Sequence, residues 1–341
     1  MNQAIIVSAP GTVEIRSVPM PRREDGEALL RLLWGGICGS DLGTYRGTYA
    51  YTTYPRIPGH ELAAEIVDVG RDGQGFAVGD IVTVNPYCNC GGCYSCRRGL
   101  VNCCMENETL GCQRDGAFST YFAMSVDRLY HGRGLAPQTL ALIEPLCISR
   151  HGVARAGITA GERVLIVGSG TIGILALLVA KRLGATVCMC DVSPEKLEIA
   201  KALGADGGIV NDSPESFMEQ VREETSGDGF DVAIEAVGLP ETFQNCIDAA
   251  AFGGRVVLIG IGNRTLDFAF TTIQKKELGI FGARNALKED FIQMIDAAGK
   301  DSLPLDRIIT NTYPAAQAVE AFRDFDRDRG RMLKVLLDFT A

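Results

Sequence analysis

The sequence lacks the features expected of a chain that binds nucleic acid, is exported or crosses a membrane. Its 33 lysines and arginines are outnumbered by 42 aspartates and glutamates, and a net charge of -9 argues against a nucleic-acid partner, which needs a basic surface. Residues 1–17 contain no basic region followed by a long apolar run, which predicts no secretory signal. No apolar stretch reaches the roughly 18 residues of a membrane span. We therefore expect a cytoplasmic protein without a membrane partner.

The composition is that of an ordinary globular protein. A length of 341 residues, with 46% hydrophobic and 22% charged residues, is typical of a chain that forms two domains. The 40 glycines imply many tight turns. Because no secretory signal is expected, the 12 cysteines predict a reducing compartment rather than disulfides, and the close spacing of four of them indicates a metal site.

The pattern of apolar residues changes along the chain. Up to about residue 145, short strands broken by glycine and proline predict a β-rich domain, with strands at Ala28–Leu33, Glu65–Val69 and Asp80–Val84. From about residue 160, strands alternate with helices, which predicts a parallel, doubly wound sheet; these strands are Arg163–Val167, Thr186–Cys190, Asp231–Glu235 and Arg255–Gly260. The tail after residue 284 is short for an independent domain, and we expect it to pack back on the first one.

A glycine-rich segment follows the first of these strands. Residues 168–173, GSGTIG, fit the pattern G-x-G-x-x-G directly before a helix, where the backbone can approach a pyrophosphate at the helix N-terminus. The predicted cofactor-binding residues there are Gly168, Gly170, Thr171, Ile172 and Gly173. The second strand ends at Asp191, which can accept the hydroxyls of an adenine ribose, and Val192 follows it in place of an arginine. NAD is therefore favoured over NADP; the alternative is a glycine turn with a solvated aspartate.

Four cysteines form a second motif. Cys90, Cys93, Cys96 and Cys104 have the spacing of a closed, tetrahedral zinc site that holds a lobe at about residues 88–105 and does no chemistry. An iron–sulfur cluster is also held by four cysteines, and the spacing alone does not exclude it. Cys103 is an alternative fourth ligand, and we choose Cys104.

Three further motifs contain metal-ligating side chains. Cys38 lies in GGICGSD, His60 and Glu61 lie in PGHE, and Glu144 lies in IEPL. A thiolate, an imidazole and a carboxylate can hold zinc with one position open for substrate. No spacing rule links residues so far apart, so each is by itself only a candidate, and a purely structural role is the alternative.

The order of these motifs resembles that of the zinc-containing medium-chain dehydrogenases. The similarity extends over essentially the whole chain and is greatest to the branch of sorbitol, threonine and sugar-acid dehydrogenases of the L-galactonate or L-idonate type; it is carried by GGICGSDLGTY, PGHELAAEIVDVG, the four-cysteine lobe, DGAFSTYFAM, IEPLCISRHGV and GSGTIG. It implies an α/β Rossmann domain at 147–283, between a GroES-like catalytic domain at 1–146 and a C-terminal return at 284–341. It also implies NAD and two zinc ions per chain, one catalytic and one structural.

The resemblance implies a catalytic zinc on Cys38, His60 and either Glu61 or Glu144, with Ser40 beginning proton release. Many relatives have a histidine at the place of Gly43 that passes the proton outward. This chain has only three histidines in all, and none lies there. The usual relay is therefore incomplete, and Ser40, the ribose and water would have to carry the proton.

The function implied is oxidation of a secondary alcohol of a polyol or sugar acid to the ketone, with hydride transfer to NAD. Alternatives are an L-threonine 3-dehydrogenase or another zinc alcohol dehydrogenase, and a non-catalytic NAD-binding relative, which the presence of all the zinc ligands argues against. The candidate substrate contacts are Tyr45, Tyr121, Arg284 and Asn285, since a guanidinium suits a carboxylate. The resemblance also suggests a homodimer or homotetramer, formed through an edge strand near Arg255–Gly262.

Overall fold

The computed structural model describes residues 1–49, 51, 53–70, 73–300, 303–328 and 330–341. Its strands are β1 (Asn2–Ala9), β2 (Thr12–Val18), β3 (Glu27–Ile37), β4 (Glu61–Val69), β5 (Ile81–Val84), β6 (Tyr87–Cys88), β7 (Glu108–Thr109), β8 (Tyr121–Ser125), β9 (Leu129–His131), β10 (Arg163–Val167), β11 (Thr186–Asp191), β12 (Gly207–Val210), β13 (Phe230–Glu235), β14 (Ala250–Leu258), β15 (Gly279–Gly282), β16 (Ile309–Pro314) and β17 (Lys334–Asp338). Its α-helices are α1 (Gly39–Arg46), α2 (Tyr94–Arg97), α3 (Pro137–Leu140), α4 (Ile143–Ala156), α5 (Thr171–Arg182), α6 (Pro194–Ala202), α7 (Pro214–Thr225), α8 (Pro240–Ala249), α9 (Thr271–Lys276), α10 (Lys288–Lys300) and α11 (Ala318–Arg327).

The chain divides into two compact units. Unit 1 comprises Met1–Glu144 together with Ala286–Ala341, and unit 2 comprises Pro145–Asn285. Among the described residues, no helix combines the length and the apolar character that crossing a membrane requires.

Unit 2 contains a six-stranded parallel sheet. The strand order is β12-β11-β10-β13-β14-β15, which is the order of a doubly wound dinucleotide-binding sheet. The central strand β10 is a run of buried aliphatic residues after its first position, as expected for a strand covered by helices on both faces. The predicted parallel, doubly wound sheet is confirmed.

The edge of this sheet differs from the prediction. Strand β14 pairs with β13 on one side and with β15 on the other, so the predicted edge segment lies inside the sheet from Arg255 to Leu258 and continues beyond the strand after it. The described edge strands are β12 and β15. The prediction was wrong because β15 has only four residues, two of them glycine, and such a segment has little of the composition that identifies a strand.

Unit 1 is built on a seven-stranded sheet. Its strand order is β16-β17-β3-β4-β5-β9, with β8 also paired to β3, and β16–β17 is its one parallel pair within the described residues. The predicted β-rich domain is thereby confirmed. Because β17 lies antiparallel to β3, the last strand of the chain is placed directly beside the strand that leads into Cys38.

Strand β3 is longer than predicted. The sequence pattern ends it at Leu33 because two glycines follow Trp34, yet the strand continues to Ile37. A Cβ atom on Gly35 would lie 2.5 Å from the Phe118 ring, and one on Gly36 would lie 2.3 Å from a carboxylate oxygen of Glu61. These glycines therefore allow close packing within the sheet and do not end the strand.

In unit 2, the last residue of α9 holds the C-terminal end of α8. Lys276 Nζ donates hydrogen bonds to the backbone oxygens of Ile247, Asp248 and Ala250 at 3.0, 2.8 and 2.8 Å. We expect Lys276→Met to lower the free energy of unfolding by about 2 kcal/mol, because hydrogen bonds from a charged donor would be lost. The neighbouring Lys275 is exposed, and Lys275→Met should change it by less than about 0.5 kcal/mol. Urea unfolding measures the free energy of unfolding of both variants. Equal effects of the two substitutions would contradict this role of Lys276.

Candidate active site and cofactor site

Three side chains of unit 1 converge at the ends of neighbouring strands. Cys38 follows β3 immediately before α1, while His60 and Glu61 lie at the start of β4, where Glu61 pairs with Gly36. One potential ligand atom from each of Cys38, His60 and Glu61 lies within 4.8 Å of the other two. His60 is 5% exposed and Glu61 is 1% exposed. The structure therefore brings together a sulfur, a nitrogen and an oxygen donor, a set that suits zinc.

The imidazole of His60 supports this interpretation. Its Nδ1 atom is buried and has no hydrogen-bond partner among the described residues, with the nearest Asp41 oxygen at 3.9 Å. The Asp41 carboxylate lies on the Nδ1 side of the ring, while Cys38 bonds the imidazole, which leaves Nε2 as the nitrogen that faces the other two ligands; a metal-ligating histidine commonly has a carboxylate on its other ring nitrogen. Burial lowers the pKa of His60, but the charges of Cys38 and Asp41 raise it more, so that this pKa lies well above its usual value. The three residues thus fit a zinc ion chemically.

Asp41 is a residue of this site that the sequence did not single out. Its fully buried carboxylate accepts hydrogen bonds from the backbone N–H groups of Cys38 at 2.9 Å and Gly59 at 3.3 Å. Burial raises the pKa of Asp41. By bonding both segments, Asp41 fixes the ligand-bearing loops relative to each other. Its place as the third residue of α1, from which an acidic side chain can accept the amide of the residue before the helix, was the available signal.

Lys334 is a second residue that sequence reasoning missed. Its Nζ lies 2.5 Å from Glu61 Oε2 and donates to the backbone oxygen of Ile37 at 3.1 Å, and both charged side chains are almost fully buried. Burial lowers the pKa of Lys334, but the Glu61 carboxylate and the Cys38 thiolate raise it more, so the net shift is upward. The signal in the sequence was a single lysine within the apolar run at 333–337, because a buried charge needs a partner.

Glu144 lies outside the group of three mutually close ligands. It is 4% exposed in the first turn of α4, and its Oε1 accepts a hydrogen bond from the hydroxyl of Tyr87. Burial raises the pKa of Glu144 to about 7, and the charges of His60 and Glu61 also act on it. The predicted catalytic residue Ser40 lies partly exposed in the first turn of α1.

Tyr49 packs against Gly43, the position at which many relatives have the relay histidine. The backbone oxygen of Gly43 accepts hydrogen bonds from the amides of Thr48 at 2.9 Å and Tyr49 at 3.2 Å, which folds the chain back over α1. A Cβ atom on Gly43 would lie 3.2 Å from Tyr49 Cβ. Burial raises the pKa of the Tyr49 hydroxyl, which stays protonated near neutral pH. A side chain at position 43 would therefore require Tyr49 to shift by a few tenths of an ångström.

The four-cysteine lobe has the dimensions of a tetrahedral metal site. The ligand atoms of Cys90, Cys93, Cys96 and Cys104 lie within 4.8 Å of one another, whereas Cys103 is exposed and outside the group. Two of the sulfur–sulfur distances are 3.6 and 4.0 Å, close to the roughly 3.8 Å expected for sulfurs about 2.3 Å from a tetrahedral zinc.

Backbone amides stabilise thiolates in this lobe. The amide of Cys90 donates to the Cys104 sulfur at 3.3 Å, and the amide of Cys93 donates to the Cys90 sulfur at 3.4 Å. The amides of Met105 and Cys96 donate to Cys93 and lower the pKa of that thiol to about 6, whereas burial raises the pKa of the Cys96 thiol to about 11. Since the thiolate is the form that binds metal, these hydrogen bonds prepare the lobe for zinc.

The glycine-rich loop of unit 2 lies between β10 and α5. Gly168 has a φ of +105°, and a Cβ atom on Gly173 would lie 1.7 Å from the backbone oxygen of Gly168, so only glycine fits at position 173. Gly170 is the N-cap of α5, which begins with Thr171 and Ile172. The amides at this helix start suit a phosphate anion.

Asp191 lies at the end of the neighbouring strand β11. Its Oδ2 accepts the amide of Ser169 at 2.7 Å and its Oδ1 accepts the amide of Ser193 at 3.0 Å. The carboxylate is thereby held next to the glycine-rich loop, while the following Val192 is 72% exposed. This arrangement suits an adenosine with free ribose hydroxyls.

The structure places the four candidate substrate contacts in different surroundings. The Tyr45 ring packs edge-on against Phe322 in the core of unit 1, with centroids 5.9 Å apart. Tyr121 lies half-buried on β8. In unit 2, Arg284 is exposed and Asn285 has a φ of +52°. Their roles remain predictions.

A doubly wound parallel sheet with a glycine-rich loop, together with a buried sulfur–nitrogen–oxygen group, defines a zinc- and dinucleotide-dependent dehydrogenase. Residues 24–133 match the family model described as alcohol dehydrogenase GroES-like domain, and residues 171–300 match that described as zinc-binding dehydrogenase. The chain belongs to the zinc-containing medium-chain dehydrogenase family and is an NAD-linked enzyme of it.

Named relatives include several substrate classes. The L-galactonate-5-dehydrogenase of Escherichia coli K12 is 35% identical over 95% of this chain and 94% of its own length. The L-threonine 3-dehydrogenase of Pyrococcus horikoshii is 35% identical over 91% of each chain. The solved short chain alcohol dehydrogenase of Escherichia coli CFT073, in complex with NADH, is 30% identical, with a TM-score of 0.92 and 99% of each chain covered. These similarities establish the family of the chain, but the named relatives act on different substrates.

The buried ion pair gives the second test. We expect Lys334→Met to lower the free energy of unfolding of the metal-free protein by about 3 kcal/mol, because Glu61 would remain as an unpaired buried charge. Lys300, whose side chain is 79% exposed and lies 3.9 Å from Asp296, is the matched control, and Lys300→Met should have an effect below about 0.5 kcal/mol. Urea unfolding in the presence of a chelator measures both. A Lys334→Met protein as stable as the Lys300 control would contradict this account.

Proposed function

We propose that this enzyme oxidises a secondary hydroxyl of a polyol or of an aldonate to the ketone and transfers the hydride to NAD. The observation that carries the proposal is the buried group of Cys38, His60 and Glu61. Its similarity over almost the whole chain to an L-galactonate-5-dehydrogenase supports the choice of substrate class. Arg284 is the candidate contact for a substrate carboxylate, since a guanidinium can bind a carboxylate with two hydrogen bonds.

In this proposal, Cys38, His60 and either Glu61 or Glu144 hold the catalytic zinc, and the four-cysteine lobe holds the structural zinc. When bound, zinc supplies Lewis-acid chemistry at the substrate oxygen, and NAD accepts the hydride. Asp41 keeps the Cys38 and His60 segments in place, and Lys334 balances the charge of Glu61.

Proton release requires a route that does not use a side chain at position 43. We propose that Ser40 accepts a hydrogen bond from the substrate hydroxyl and begins the release, with the cofactor ribose and water carrying the proton onward. The packing of Tyr49 against Gly43 supports a route on the Ser40 side of α1.

Asp191 is proposed to select NAD. Two backbone amides orient its carboxylate, which can accept hydrogen bonds from the ribose hydroxyls and would repel a 2′-phosphate. The candidate loop residues for the pyrophosphate are Gly168, Gly170 and Gly173 together with the start of α5.

A homodimer or homotetramer is also proposed. Strand β15 has a partner on one side only within the described residues, and an unpaired strand edge is a ready surface for pairing with a second copy.

The second candidate function is oxidation of L-threonine. The similarity to an archaeal L-threonine 3-dehydrogenase, at the same 35% identity as the galactonate enzyme, is the observation that favours it. Both functions use the same proposed zinc and NAD chemistry, so the substrate alone separates them.

The metal assignment is tested by comparing two cysteines. We expect Cys38→Ala to remove detectable NAD reduction and to reduce the zinc content from two ions per chain to one, because the four-cysteine lobe remains intact. Cys103→Ala is the matched control: this exposed thiol lies outside both ligand groups, so activity and zinc content should be unchanged. Zinc is measured by atomic emission. Full turnover by Cys38→Ala would reject the assignment.

The substrate class is tested by NAD reduction over a panel of hexitols, aldonates and L-threonine. We expect the highest kcat/KM with an aldonate or a hexitol, and slower reaction when NADP replaces NAD, because Asp191 repels the additional phosphate. Preference for L-threonine would establish the second candidate, and preference for NADP would overturn the role of Asp191.

A further inference from the structure

A chain of hydrogen bonds runs through unit 1 from Glu144 to the four-cysteine lobe. The Tyr87 hydroxyl donates to Glu144, and the backbone oxygen of Tyr87 accepts a hydrogen bond from Arg128 Nη1. Arg128 Nη2 donates to Asn89 Oδ1 at 2.5 Å, and Asn89 Nδ2 lies 3.9 Å from the sulfur of Cys96. A single short segment, Tyr87–Asn89, therefore contacts a carboxylate at one end and a lobe cysteine at the other.

Few other backbone hydrogen bonds hold this segment. It contains β6, which pairs with β7 over two positions only, Tyr87 with Thr109 and Cys88 with Glu108. The guanidinium of Arg128 contacts both ends of the segment, and its side chain is 16% exposed. A planar guanidinium presents donors on separate nitrogens in a fixed fork, whereas the donors of a lysine ammonium share one nitrogen and rotate about it.

Arg128 is itself anchored to the sheet. It directly precedes β9, and its backbone oxygen accepts the amide of Asn85 at 2.8 Å. The side chain of Asn85 in turn accepts the amide of Tyr87 at 3.0 Å. The backbone of Arg128 is thus fixed by the sheet of unit 1, and its guanidinium bonds both ends of the segment Tyr87–Asn89.

We propose that Arg128 is a positioning residue that couples the two metal sites, by holding Tyr87 against Glu144 at one end of the segment and Asn89 against the lobe at the other. The proposal rests on the zinc sites proposed above, with Glu144 as the carboxylate that holds the catalytic zinc. Arg128 touches no zinc ligand itself. Its loss should therefore act on the catalytic site only through Tyr87.

The test uses the full-length, zinc-loaded enzyme and the chromogenic chelator 4-(2-pyridylazo)resorcinol. One phase of zinc release by the wild-type enzyme should be missing in Cys38→Ala, and this phase reports the catalytic zinc. We expect Arg128→Gln and Tyr87→Phe each to speed this phase by about tenfold, the lower end of what outer-shell partners contribute to metal affinity. The double variant should be no faster than the faster single variant, because both changes break the same link. Arg128→Lys should lie between wild type and Arg128→Gln.

Arg163 of unit 2 provides the matched control. It also contacts one backbone oxygen and one side-chain oxygen, those of Thr225 and Asp228, at 2.8 and 3.2 Å. Arg163→Gln removes a comparable pair of contacts with no metal site involved, so the release phase should change less than about twofold. If Arg128→Gln does not fold, Asn89→Ala removes the lobe end of the link and should likewise speed release of the catalytic zinc.

Two results would overturn the coupling. One is a release rate for Arg128→Gln, or for Asn89→Ala in its place, equal to that of Arg163→Gln. The other is multiplication of the Arg128 and Tyr87 effects to about a hundredfold in the double variant. A wild-type protein that retains one zinc per chain would reject the metal assignment and with it the coupling, so a failure of the coupling alone is recognised by two zinc ions in wild type.

Discussion

The buried ion pair between Glu61 and Lys334 is the interaction on which the site depends. A carboxylate that is 1% exposed requires a compensating charge, and the lysine that provides it reaches Glu61 from the last strand of the chain. This fixes β17 beside β3, the strand that leads into Cys38. The position of Glu61 therefore depends on a residue far along the chain. Through it, the candidate metal site depends on the C-terminal segment that completes the sheet of unit 1.

The sequence predicted well those features whose residues lie close together along the chain. The cysteine lobe and the glycine-rich loop are local patterns, because their ligands or backbone amides come from one turn or one loop. Lys334 and Tyr87 could not be found in this way, because each acts through a partner brought near by the fold, 273 positions away for Lys334 and 57 for Tyr87. Asp41 did leave a local signal at the start of α1, and only its contact with Gly59, 18 positions away, depends on the fold. Chemistry that depends on a contact of this range leaves at most a weak local signal, such as a charge in an apolar strand.

The glycines explain the errors in strand assignment. Glycine is a weak strand former in general, yet β3 contains Gly35 and Gly36 because neighbouring side chains occupy the space a Cβ atom would need. The short strand β15 was missed because two of its four residues are glycine, and the sheet edge was therefore placed one strand too early. Only the error in β3 comes from tertiary packing that overrides the local preference.

The distance along the chain between Glu61 and Lys334 has a consequence for biosynthesis. The ribosome makes the lysine 273 residues after the carboxylate, and the whole of unit 2 is synthesised in between. At a translation rate of about 5–20 residues per second, synthesis of the intervening residues takes on the order of tens of seconds. During this time the Glu61 carboxylate has no charge partner. Unit 2 can fold during translation, whereas the ion pair of the catalytic unit forms only after Lys334 has been made.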